Sequence, residues 1–223
     1  MITFTDLQEG VYDPNIFKAF FLAGGPGSGK SFVVRKTTGG LGMKVVNSDD
    51  IFEKLLDKEG LSKKMPESEK EPRDIVRARA KRLTAKKKEN FIEGRLGLII
   101  DGTGKDYDKI ARQATKLKQL GYDVHMIFVN TSLDVALERN QKRDRTVPES
   151  VAIKSWNNVQ RNIGKFSQYF RQNFVVVDNN DPLDNDGMVF NSVFKQVKRL
   201  ANKKVVNPVA KMWIKSEMDK KKR

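Results

Sequence analysis

Phe20-Phe-Leu-Ala-Gly-Gly-Pro-Gly-Ser-Gly-Lys-Ser-Phe32 is the stretch that decides the fold. An apolar run of strand length, Phe17 to Ala23, meets Gly24-x-x-x-x-Gly29-Lys30-Ser31, and a helix-compatible segment follows at once. Strand, loop and helix in that register form a phosphate-binding loop. The glycines let backbone N–H groups turn inward as an anion nest, the helix presents its positive end, and Lys30 adds a mobile charge for β- and γ-phosphates. Ser31 supplies a hydroxyl for Mg²⁺. Gly25, Pro26, Gly27, Ser28, Gly29, Lys30, Ser31 and Phe32 are therefore the candidate contacts of a nucleoside triphosphate, with ATP and Mg²⁺ as the expected cofactors. A Gly-rich turn before a helix is the plainer alternative, and it leaves the Lys-Ser pair without a purpose.

Around this loop, 223 residues suffice for one α/β domain with a real core. Residues 1–187 are expected to form that domain, and 188–223 a basic C-terminal helix and tail. The absence of cysteine excludes disulfides and thiolate metal sites, and the single histidine, His125, excludes a multi-histidine centre. The N-terminus lacks the basic and apolar regions of a signal peptide, and no apolar run approaches membrane-spanning length, so a cytoplasmic location is expected. Were the chain phage-encoded, that would be the host cytoplasm. The formal charge of +15 favours a polyanionic partner, with nucleic acid, DNA first, as the candidate and a merely basic soluble protein as the alternative.

Downstream, the first helix should run from about Lys30 to Thr37 and stop at Gly39-Gly40. Met43 to Asn47 reads as a second strand, ending at Ser48-Asp49-Asp50. Ligands of open α/β sheets bind beyond the carboxyl ends of strands, which makes both aspartates candidates. One is expected to cap the helix from Ile51, a role given to Asp50, leaving Asp49 as the working carboxylate. Lys58 to Arg73 reads as a solvated loop or cover, and Asp74 to Gly94 as a long helix capped by its Asp. Arg77, Lys81 and Lys88 form a basic stripe on it, either functional or simply solvated.

Leu96 to Asp101 is a strand ending in a carboxylate, as expected of a residue that orders Mg²⁺ or orients the acceptor. A helix from Tyr107 to Leu120, a strand from Asp123 to Asn130 and a helix from Leu133 to Lys142 follow. His125 is read as a core histidine. Arg139, Arg143 and Arg145 then form a candidate lid near residues 139–148, where guanidinium groups grip phosphate oxygens. Trp156, Val159, Ile163, Phe166 and Phe170 mark an amphipathic helix whose aromatics are assigned to packing. Phe174 to Asp178 is a fifth strand, Asn179 to Gly187 a turn-rich loop, and after Met188 come one more helix, Pro208 and a Lys-rich end. That end reads either as a phosphate-binding arm or as a solubilising tail.

The loop, Asn47-Ser48-Asp49-Asp50, strand-end Asp101 and Arg139-Asn-Gln-Lys-Arg143 stand in an order and spacing that resemble the kinase domain of phage polynucleotide kinase. More broadly they resemble the P-loop kinases that include zeta toxins and the phage kinases of hydroxymethylated bases in DNA. The resemblance runs from about Phe17 to Phe170. It implies a three-layer sandwich, a parallel sheet of about five strands with helices on both faces. It also implies that Asp49 is the general base, that Arg143 contacts ATP phosphates, and that Asp101 belongs to the active site. The chain departs from polynucleotide kinase in carrying Phe52 where that kinase has an Arg three residues after its base, and these residues hold no companion phosphatase domain.

The expected function is Mg-ATP-dependent transfer of the γ-phosphate to a hydroxyl on nucleic acid, either a hydroxymethylated pyrimidine or a 5′ end. Asp49, Lys30, Arg143 and Asp101 are the candidate catalytic residues, Arg139 and Arg143 join the loop in binding the nucleotide, and Ser31 and Asp101 are the candidate metal ligands. The rivals are a zeta-toxin-like or nucleotide kinase acting on a small-molecule hydroxyl, and a nucleic-acid-binding protein that holds ATP without turning it over.

Overall fold

The structure, a computed structural model, describes residues 10–38, 41–143, 145–180 and 188–221. β1 (Lys18–Ala23) is followed by α1 (Lys30–Thr38), β2 (Lys44–Val46), α2 (Ser48–Lys58) and α3 (Lys70–Glu93). β3 (Leu98–Asp101), α4 (Tyr107–Gln119), β4 (Asp123–Asn130), α5 (Leu133–Gln141) and α6 (Glu149–Phe170) come next, then β5 (Phe174–Asp178), α7 (Met188–Ala201) and α8 (Pro208–Lys221). The strands form one parallel sheet in the order β2-β3-β1-β4-β5.

β1 lies at the centre, with Phe20 opposite Ile99 on one side and His125 on the other. Every residue of β1 is buried, because parallel strands need crossover helices and these cover both faces. Alternation along the strand divides the core in two. Ala19, Phe21 and Ala23 point into a cluster with Ala114 and Leu117 of α4, Val159, Phe166 and Phe170 of α6, and Ala210 of α8. Phe20 and Leu22 point the other way, toward Val33 of α1 and Val193, Val197 and Leu200 of α7. A smaller cluster, Phe52, Leu55, Leu56, Val76 and Ala80, joins α2 to α3 beside the sheet. The α/β sandwich with a five-stranded parallel sheet and helices on both faces is thus the observed fold.

Some local expectations change. α2 is capped by Asn47, whose side-chain oxygen accepts from the Asp49 amide at 2.8 Å and whose Nδ2 donates to Asp50 Oδ1 at 2.9 Å. Neither aspartate is the cap; a neutral amide can accept from the helix and donate to Asp50 at once, which a carboxylate cannot. α3 starts at Lys70 and not at Asp74, with Pro72 in its first turn, where the missing N–H has no helical partner to lose. The expected loop before it shrinks accordingly. The Lys-rich end is a helix, α8, seated by Ala210 against Gly121 and by Trp213, whose ring meets Phe17 edge-on at 5.5 Å. Gly39-Gly40 and residues 181–187 of the expected turn-rich loop lie outside the described residues. Among the described residues no helix is long and apolar enough to cross a membrane.

His125 is buried and stacks on Phe20 at 4.6 Å. It is a packing residue. Burial lowers its pKa to about 4.

Candidate active site

The phosphate loop emerges from β1 at the carboxyl edge of the sheet and is held from three later segments. The Gly24 amide donates to Thr103 O at 3.0 Å after β3, and Asn179, just past β5, donates its Nδ2 to Ser28 O at 2.8 Å. Ala136 of α5 closes the third side. Gly27 has φ +77°, and a Cβ there would lie 1.9 Å from Ala136 O; Gly29 has φ +81°, and a Cβ would lie 2.3 Å from Asn179 Nδ2. Both positions demand glycine on conformation and on space. The path leaves Gly25, Gly27, Gly29, Lys30, Ser31 and Phe32 facing one cleft of ≈ 900 Å³. Pro26 and Ser28 do not line it, and Ser28 is buried with no hydrogen-bond partner for its hydroxyl among the described residues.

Lys30 opens α1 and donates Nζ to Gly24 O at 2.7 Å and Gly25 O at 3.2 Å. Burial pulls its pKa down, opposed chiefly by the negative charge of Asp101. Asp101 ends β3 in register with Leu22 of β1, which sets it beside the loop. Burial raises its pKa, and its Oδ1 is buried with no hydrogen-bond partner among the described residues.

Asp49 sits in the first turn of α2, beyond the carboxyl end of β2. Its Oδ1 pairs with Arg77 of α3 at 2.7 Å and its Oδ2 with Arg145 at 2.9 Å, while Arg145 also binds Glu53 at 2.8 Å. Burial works to raise the Asp49 pKa, but the charges of Arg145 and Arg77 outweigh it and hold the carboxyl below its ordinary value. Asp50 is shifted upward instead, by burial and by its neighbours Glu53 and Asp49. Environment therefore separates adjacent carboxylates in the direction that makes Asp49 the permanent anion.

Arg139 in the last turn of α5 donates to Asn179 O at 2.6 Å and Asn180 O at 3.4 Å, which places its guanidinium beside the loop. Arg143 is exposed at the cleft. Asn140, buried at the root of this segment, donates to Val147 O at 2.7 Å and accepts from the Val147 amide at 3.1 Å, tying the end of α5 to the residue before Pro148. Lys30, Asp49, Asp101, Arg139, Arg143 and Arg145 all line the same cleft.

Sequence reading left out of the site Arg77, Glu53 and Asn179. Arg77 was visible only as one member of the α3 stripe, and the structure turns that stripe toward the cleft, where Lys81 and Lys88 also lie. Asn179 carried no signal, because its partner is 151 residues away. The oxygen donors Ser31 and Asp101 suit a hard cation such as Mg²⁺, and the buried unpartnered Oδ1 of Asp101 is the group that such an ion would satisfy.

A parallel sheet in this strand order, with a glycine loop and lysine at the edge of its central strand and an arginine segment over the cleft, defines a P-loop kinase fold. The zeta toxin family model matches residues 8–188, and the chain belongs to that family, one of kinase-type phosphotransferases. Among solved structures, the chain is similar to a putative kinase from Chloroflexus aurantiacus J-10-fl, with a TM-score of 0.55 and 17% identity over 82% of this chain and 98% of that one. It is also similar to the AvrRxo1-ORF1:AvrRxo1-ORF2 complex. The native form gives a TM-score of 0.57 at 14% identity over 91% of this chain and 75% of that one. The form with ATP gives 0.56 at 16% over 72% and 54%. No curated protein matches the chain.

Proposed function

We propose that this protein is an ATP-dependent kinase that moves the γ-phosphoryl group to a hydroxyl carried on nucleic acid, in the cytoplasm where ATP is made available. The observation that carries the reading is the single cleft shared by Lys30 and Asp49, whose far half is lined by lysines and closed by few acids. An acceptor rich in phosphate fits such a lining.

In this reading the loop amides and Lys30 hold the β- and γ-phosphates, and Arg139 and Arg143 neutralise charge on the phosphoryl oxygens. Asp49 accepts a hydrogen bond from the acceptor hydroxyl. The hydroxyl oxygen bonds to the γ-phosphorus, the bond from that phosphorus to the β–γ bridging oxygen breaks, ADP leaves with the electron pair, and the hydroxyl proton passes to Asp49. A loose transition state asks little basicity of its base, so a carboxylate held ionised by Arg77 and Arg145 is adequate. Both of its oxygens keep a lone pair beyond those ion pairs. Ser31 and Asp101 would hold Mg²⁺, which when bound would neutralise phosphate charge.

The test is transfer from γ-labelled ATP to parallel acceptors: DNA with a free 5′-hydroxyl, DNA with hydroxymethylated pyrimidines and blocked ends, free nucleosides, and a nucleotide sugar. Label on either DNA is expected, and the one labelled names the hydroxyl. Asp49→Asn should cost ~10²–10⁴ in turnover, and a variant keeping more than about a tenth of the rate would remove Asp49 from this role. Family membership favours a second reading, a zeta-toxin-like kinase whose acceptor is a small nucleotide-sugar hydroxyl. Label on that acceptor alone would establish it.

A further inference from the structure

From Ser150 to Val177 the chain carries no acidic residue, although acids fill 28 of its 223 positions. Most of that stretch is α6. Its cations Lys154, Arg161 and Lys165 are seven and four residues apart and so share one helix face, together with the amides of Asn157 and Gln168. All five side chains are exposed, on the side opposite the buried Ala152, Val159 and Phe166. The row runs about 21 Å, from fourteen residues at ~1.5 Å each. None of it lines the cleft.

Gly164 lies in the middle of this face, between Arg161 and Lys165. Glycine weakens a helix interior, and a Cβ here would meet nothing within 4 Å among the described residues. No packing within the fold asks for it. What a side chain would obstruct is an approach from outside.

The charge of the row is also unanswered. Among the described residues Lys154, Arg161 and Lys165 have no ion-pair partner; Lys165 lies over the Tyr107 ring at 5.7 Å. α4 runs alongside, joined by the Thr115–Tyr169 hydrogen bond at 2.8 Å, and adds Lys118 over the Tyr169 ring at 4.1 Å. The acids of these two helices, Asp106, Asp108 and Glu149, all sit at the amino ends.

These features choose among partners. A second copy of the chain would set like charges against like. Protein interfaces are poor in Lys and centred on aromatic or apolar anchors, and helices that lie on membranes carry large apolar side chains beside their cations; the row offers neither. Single strands are held by stacking on aromatic rings, whereas the rings of α6 turn inward, with Trp156 Nε1 donating to Thr131 O at 2.9 Å and Phe166 and Phe170 buried. Lys, Arg, Asn and Gln are the side chains that contact duplex phosphates, and the wide groove of B-form DNA admits a helix where that of A-form RNA does not. We propose that the outward face of α6 docks the phosphate backbone of duplex DNA without regard to sequence, with Lys154, Arg161 and Lys165 on phosphates and Gly164 at the closest approach. The face is separate from the cleft and independent of which hydroxyl accepts phosphate at Asp49.

The experiment is fluorescence anisotropy of a 20-base-pair DNA duplex with phosphorylated 5′ ends, without ATP, across a salt series. Log K should fall with log salt at about −0.9 per phosphate engaged. Lys154→Gln/Arg161→Gln/Lys165→Gln should weaken binding more than tenfold at low salt and flatten the slope by about 2.7, from three contacts at ~0.9 each. ATP affinity, read by nucleotide titration, should be unchanged. Gly164→Leu should raise the melting temperature yet weaken DNA binding severalfold, which a glycine of purely structural role would not do. Lys211→Gln/Lys215→Gln/Lys220→Gln on α8 removes equal charge and should leave the slope alone. A wild-type slope for the α6 variant, or an equal effect of the α8 variant, overturns the docking face and leaves the kinase reading untouched. Binding only to duplex RNA, or only to phosphatidylserine vesicles, overturns it as well by giving the cations a different partner.

Discussion

Asp49 is held by two arginines that come from different parts of the chain, and its protonation depends on both. Removing one cation from a carboxylate raises its pKa. Arg77→Gln should therefore move the acid limb of the kcat profile to higher pH, as well as lowering kcat, and a profile unmoved on the pH axis would separate Arg77 from Asp49. His125 gives a second pH effect, on stability. Its folded pKa lies below its ordinary value, so the fold is favoured while the ring is neutral: that contribution is whole above about pH 6.5 and is lost as pH falls toward 4. At about 1.4 kcal/mol per pH unit, the loss from 6.5 to the folded value of about 4 is on the order of 3 kcal/mol. His125→Phe keeps the stack on Phe20 and removes the titration, so its acid unfolding midpoint should move to lower pH by circular dichroism. A midpoint unchanged from wild type would mean that other groups govern acid unfolding.

Individual elements show where sequence reading reaches and where it stops. The phosphate loop was legible because Gly27 and Gly29 serve backbone geometry and near neighbours, which impose a local pattern. β4 and β5 were legible to the residue because each is a short apolar run bounded by polar residues, buried throughout in β4 and on one face only in the edge strand β5. The cap of α2 was misread, since Asn and Asp carry the same signal and only the bond to Asp50 separates them. The partners of Asp49 were illegible. Arg77 and Arg145 reach it through the packing of α2 on α3 and the return of the arginine segment, and no spacing encodes either. That segment also yields an element-scale prediction. Asn140→Ala removes two buried hydrogen bonds to Val147, at about 1–3 kcal/mol, and frees the loop that carries Arg143 and Arg145. Turnover should fall severalfold with little change in ATP affinity, measured by steady-state kinetics beside nucleotide titration; a loss of stability with full turnover would make the pin purely structural.

For the molecule as a whole, charge and chemistry are partly separated. α8 seats against Phe17 and Gly121 at the amino edge of the sheet, roughly 20 Å from the loop by the length of six strand residues at ~3.3 Å. Its lysines therefore face away from the cleft, and the basic C-terminus is a packed wall of the core before it is anything else. Trp213→Ala should cost about 3 kcal/mol in chemical denaturation, the low end for a large aromatic because the ring is only half buried, while kcat of the folded enzyme stays within a factor of two. A matching fall in kcat would show that α8 communicates with the cleft. The parallel order has a further consequence for synthesis. β1, made first, lies between strands that begin at Leu98 and Asp123, and the loop behind it is held in turn by Thr103, Ala136 and last by Asn179. On the ribosome, a chain that has exposed the glycine loop but not the fifth strand holds a nucleotide motif without its last support. A chain cut before Asn179 is therefore expected to hold ATP less tightly than one that includes it, a difference nucleotide titration of the two would read.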